Sequence, residues 1–163
     1  MATFQRFVDI HAWQKARQLV YEIYKISNRG SFFKDFRLRG QIRDAGISVM
    51  SNIAEGFERD GSAEFVQFLA IAKGSTGEVI SQLYVALDQG YITEEEFEGL
   101  SGLARETGRM IGALMGYLRK SGIKGTKFKA NSKSKISNAK LNPKHETPHS
   151  KLNSKPETRN SKL

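Results

Sequence analysis

Apolar residues recur at steps of three and four through most of the first 120 positions, the spacing that places them on one face of a helix. Over residues 10–28 the side formed by Ala12, Trp13, Ala16, Leu19, Val20, Ile23 and Ser27 predicts a first helix, with Gly30 after it as a stop. A second helix is predicted over 35–57, where Leu38, Ile42, Ala45, Val49 and Ile53 align behind Asp35, a residue suited to capping free N–H groups. The third opens at Gly61-Ser62 and aligns Phe65, Phe68, Leu69, Ala72, Thr76, Val79, Leu83, Ala86 and Leu87 before Gly90. The fourth begins with Thr93-Glu-Glu-Glu96, a capping box. It runs through Phe97, Leu100, Ala104, Thr107, Ile111, Leu114 and Leu118 to the cations Arg119 and Lys120. No alternation of period two competes, so the pattern predicts an all-α protein, an antiparallel up-down-up-down four-helix bundle over residues 1–120.

The chain is not uniform beyond that point. Residues 121–163 hold eleven basic and two acidic groups, all three prolines and much Ser and Asn, while the first 120 residues are balanced, which accounts for the whole formal charge of +9. Such a segment has too little apolar surface to offset chain entropy, so a disordered basic tail is expected there. It repeats itself, with Lys144-His-Glu-Thr-Pro-His-Ser-Lys-Leu152 returning as Lys155-Pro-Glu-Thr-Arg-Asn-Ser-Lys-Leu163. The terminal Ser-Lys-Leu belongs to that repeat and is read as repetition, not as a peroxisomal address. The absence of Cys excludes disulfide, thiolate-zinc and thiol chemistry. With no leader-like or membrane-spanning run, the expected setting is the cytoplasm, away from membranes.

Two features of the predicted helices carry candidate chemistry. Gln41, Ser48, Asn52 and Glu55 form a polar stripe beside the apolar face of the second helix, and Ser75, Glu78 and Gln82 flank the third. A single His in the first 120 residues, His11, excludes Glu-x-x-His metal pairs, and no phosphate-cradling Gly loop or nucleophile elbow is present. No catalytic residue, metal or cofactor is therefore assigned, and the stripe reads as hydrogen bonding that fixes register or a subunit contact. In the fourth helix Gly108, Gly112 and Gly116 draw one line, suited to close packing of a neighbouring helix.

The charge within the first 120 residues is itself uneven, at +5 over 1–45 and −5 over 46–120. Lys15, Arg17, Lys34, Arg37, Arg39 and Arg43 are the candidate nucleic-acid-binding residues, Arg being suited to bidentate phosphate contact.

The segments Val8-Asp-Ile-His-Ala-Trp-Gln-Lys-Ala16, Gln41-Ile-Arg-Asp-Ala45, Ser48-Val-Met-Ser-Asn-Ile-Ala-Glu-Gly-Phe57 and Phe68-Leu-Ala-Ile-Ala-Lys-Gly-Ser75 resemble the four-helix bundle proteins also called 23S ribosomal RNA intervening-sequence proteins. The resemblance covers about residues 4–120 and leaves the tail outside. Met50 stands where that family often carries Pro, which implies a straighter second helix. The resemblance implies a bacterial, non-enzymatic bundle assembling as a homopentameric ring, with structured or ribosomal RNA as the expected ligand. A similar fold in accessory proteins of diversity-generating retroelements implies an alternative, a protein-interaction ring serving a reverse transcriptase.

Overall fold

The computed structural model describes residues 4–59 and 61–120. After a single 3-10 turn at Phe7–Asp9 come α1 (His11–Ser27), the one-turn α2 (Gly30–Lys34), α3 (Phe36–Glu58), α4 (Ser62–Asp88) and α5 (Glu94–Lys120), with no strand among the described residues. The expectation of a disordered segment over 121–163 falls outside the described residues.

The four long helices pack in the cyclic order α1, α3, α4, α5, with α5 closing back on α1. Their directions follow from two apolar clusters. One joins the C-terminal half of α1 (Leu19, Ile23, Ile26) to the N-terminal half of α3 (Leu38, Ile42), the C-terminal half of α4 (Val79, Leu83, Ala86) and the start of α5 (Phe97, Leu100). The other joins Ala12 and Ala16 to Ile53 and Phe57, Phe65 and Leu69, and Ile111 and Leu118. Opposite halves of successive helices share a cluster, so the chain runs up, down, up and down as expected. Between the clusters lies a layer of small and hydroxylated residues. Buried Ser75, Thr76 and Thr107 occupy it, Thr76 and Thr107 returning their hydroxyls to the carbonyls of Lys73 and Leu103 at 2.7 and 2.8 Å.

Helix ends follow the local chemistry. The Asp35 carboxylate accepts from Leu38 N–H at 2.9 Å and caps α3. Gly90, at φ +66°, ends α4: its N–H donates to Leu87 and that of Tyr91 to Ala86, both at 2.9 Å. Gly30 departs from its expected role. It does follow α1, but at φ +54° it opens α2 rather than leading into a plain loop. The short helix escapes a pattern search because one turn has no period to display.

The Thr93 box is reciprocal, Glu96 accepting from Thr93 N–H at 3.1 Å and donating its own N–H to Thr93 Oγ1 at 3.2 Å. Glu96 also pairs with Arg29, and these two partners hold its carboxyl below the usual glutamate range. A carboxylate whose folded-state value is depressed adds stability above its unfolded value and loses it as pH falls through the folded one. The thermal midpoint of the native chain should therefore exceed that of Glu96→Gln near neutrality, and the two should converge in acid. A constant offset at all pH values would show that Glu96 ionisation contributes nothing.

α3 runs unbroken through Met50, and it packs tightly against α4 at Gly56. A Cβ there would stand 2.6 Å from Phe68 Cβ and 2.8 Å from Phe65 Cδ2. Phe68 Cβ is fixed to its backbone and cannot swing aside. Gly56→Ala should therefore cost about 1–3 kcal/mol, read as a lower denaturant midpoint with an unchanged m-value.

Candidate nucleic-acid interface

Of the nine basic residues in the first 45 positions, four have acidic partners: Arg6 with Asp9, Lys15 with Glu106, Lys25 with Glu22 and Arg29 with Glu96. The other five, Arg17, Lys34, Arg37, Arg39 and Arg43, have no acidic partner among the described residues. Four of those five lie in α2 and the first two turns of α3, so the unneutralised charge gathers at one end of the bundle.

The six candidate residues do not share one face. Lys15 bonds Glu106 of α5 at 3.1 Å, on the side of α1 turned away from α3. Arg17, two residues on, is rotated about 200° around the helix. It lies exposed on the face that carries Tyr24, two turns nearer the middle of the bundle. Lys34 and Arg37 are exposed. Arg39 has its guanidinium carbon 4.5 Å from the Phe33 ring centre and 4.7 Å from that of Phe36, and donates to the Phe33 carbonyl at 2.6 Å. Arg43 lies 4.4 Å over Tyr24 and donates to Ser27 Oγ at 2.8 Å and Asn28 Oδ1 at 2.7 Å, tying α3 to the end of α1. Asp44 is exposed on the Arg37 side of α3, two turns further along, and bounds the basic region there.

This end is held from beneath by Phe32, which is fully buried. Its ring stacks on Tyr91 at 5.3 Å, and the Tyr91 hydroxyl donates to the second oxygen of Asp35 at 3.3 Å. Burial, together with the Asp35 charge, pushes the Tyr91 phenol up, so it stays protonated and donates. One carboxylate thus caps α3 and anchors the turn beyond α4, fixing the short helix that presents Phe33 and Lys34. The aromatic members of the site, Phe33, Phe36 and Tyr24, are not singled out by charge or helical period. The readable signal is rings interleaved with cations in Phe32-Phe-Lys-Asp-Phe-Arg37.

The polar stripe divides in the same way. Ser48 and Ser75 meet hydroxyl to hydroxyl at 2.9 Å across α3 and α4, and Asn52 donates to the Ser48 carbonyl at 2.8 Å and hydroxyl at 3.1 Å. Ser75 also has the Ile71 carbonyl at 3.2 Å. Glu55 turns outward to Arg59 at 2.7 Å, and Gln41 and Glu78 are exposed, so these three lie outside the inter-helix contact. Gln82 Oε1 is buried without a hydrogen-bond partner among the described residues. Ser48, Asn52 and Gly56 recur at four-residue steps, which makes them one seam through which α3 meets α4. Of the glycine line on α5, only Gly108 is closely covered, a Cβ there lying 2.9 Å from Thr76 Oγ1, while Gly116 faces open space.

Three further cations, Lys73, Arg105 and Arg109, line a groove of about 740 Å³ between α4 and α5, floored by Gly77, Gly108 and Gly112. Among the described residues no group of three or more His, Asp or Glu is placed to hold a metal, and no helix is long and apolar enough to cross a membrane.

No curated protein matches the chain. A crystal structure of a protein of unknown function from the S23 ribosomal protein family of Bacteroides thetaiotaomicron shares the fold, with TM-score 0.59 at 24% identity, over 64% of this chain and 97% of that one. The family model of the 23S rRNA-intervening sequence proteins matches residues 8–113, well over half of the sequence, and the chain belongs to that family.

Proposed function

We propose that this protein is a non-enzymatic, ring-forming bundle, pentameric as the family resemblance implies, that binds structured RNA through the end built from α2 and the start of α3. What carries the reading is the gathering of Lys34, Arg37, Arg39 and Arg43, without an acidic partner among the described residues, at one end of a bundle whose other cations are largely neutralised or dispersed. Closure into a ring sets several copies of that end side by side, which multiplies a modest affinity. The basic segment 121–163 adds sequence-independent attraction through counterion release.

Exposed apolar side chains on α4, Ile71 at 53% and Val85 at 44%, suit subunit contacts. They also suit the second reading, a ring that serves a protein partner such as a reverse transcriptase. The two readings separate on titration of the full chain with a labelled structured RNA across a salt series. RNA recognition requires the logarithm of affinity to fall linearly with the logarithm of salt, by about 0.7–0.9 per phosphate contact. An oligomer that binds no RNA even at low salt would leave the protein-partner reading.

A further inference from the structure

Resting on that RNA reading, we propose that the α2–α3 end is a stacking platform for unpaired bases, so that the ligand it selects is single-stranded or looped-out RNA and not continuous duplex. Phe36, the first residue of α3, is 70% exposed and Phe33, near the end of the one-turn α2, is 48% exposed, at positions where a polar residue would serve. Arg39 contacts both rings, and its bond to the Phe33 carbonyl fixes the guanidinium in place. The exposed surface of each ring remains open to a planar partner. One turn along α3, about 6 Å, Arg43 covers Tyr24, and Tyr21 beside it is 67% exposed. The rings and cations therefore continue along the face in two successive steps.

Flat rings flanked by fixed cations match a nucleotide strand in which bases stack on the rings and phosphates meet the charges. In duplex RNA the base faces are covered by their neighbours, and only backbone and groove edges remain for contact. An apolar protein surface fits less well, because closing over Phe33 and Phe36 would bury Lys34, Arg37 and Arg39 without acidic partners.

The test uses the full chain, a short labelled oligoadenylate strand and a duplex of the same length, each over a salt series, with the mass of every variant measured. Phe33→Leu with Phe36→Leu keeps apolar bulk and removes the π-face. It should weaken strand binding about tenfold or more. Stacking is not ionic, so the slope against salt should stay as in the native chain while duplex binding is unchanged, and Phe36→Trp should retain strand affinity. Strand affinity unaffected by the leucine pair, or strand and duplex weakened alike, would overturn the platform and leave RNA binding standing. A changed oligomer mass with native strand affinity would make the rings a protein contact, which also overturns it. If neither probe binds the native chain at any salt, the RNA reading itself fails and the platform with it.

Discussion

Phe32→Ala is expected to destabilise the bundle by about 3–5 kcal/mol, a large share of the roughly 5–15 kcal/mol that holds a domain together. Phe32 is fully buried, stacks on Tyr91 and is the largest side chain that α2 contributes to the core. Five residues cannot persist as a helix without such tertiary contact, since nucleating a helix costs more than one turn returns. Its loss should therefore free α2, separate Phe33 from Arg39 and lower RNA affinity even at temperatures where α3, α4 and α5 stay folded. Phe32→Leu, which keeps most of the volume, should lose markedly less stability. Denaturant unfolding gives the first quantity and RNA titration at low temperature the second. A cost below about 1 kcal/mol would mean that α2 is not seated through this ring.

The second large effect concerns charge. Lys34→Glu, Arg37→Glu and Arg39→Glu together should reduce the salt slope of RNA binding by about 2–3 and weaken affinity by about a hundredfold or more near 0.1 M salt. Among the described residues none of these three has an acidic partner whose loss would complicate the comparison. Arg43 is left unchanged because its bonds to Ser27 and Asn28 join two helices, and its reversal would confound binding with packing. The reversal Lys73→Glu with Arg109→Glu, in the groove between α4 and α5, is the matching control and should change the slope little. The opposite ranking would move the RNA track to that groove.

Much of the fold is legible because its information is periodic. Leu38, Ile42, Ala45, Val49 and Ile53, aligned by spacing alone, are all buried in α3, and Asp35 and the Thr93–Glu96 box sit where cap chemistry places them. Helix α2 is less legible, since its order comes from Phe32 beneath Tyr91, residues far apart in sequence. Gly56 shows a similar limit: its role is set by how closely Phe68 of another helix approaches. The candidate site divides along the same line. Charge composition marks the first 45 residues, yet only the fold separates Lys15, bonded to Glu106, from Lys34 and Arg37, which face solvent. The resemblance carried by Ser48, Asn52 and Gly56 acquires a physical reason as well, because these residues bring α3 and α4 into register.

The measurement that tests the account most directly is RNA affinity of residues 1–120, a chain that keeps every described helix but lacks the basic segment, beside the full chain over the same salt series. Helix content and oligomer mass are checked for both. Retained binding, weaker than that of the full chain and sensitive to reversal of Lys34, Arg37 and Arg39, is the expected result. A folded, assembled 1–120 protein that binds no RNA at any salt would contradict it, leaving only the sequence-independent attraction of the basic segment.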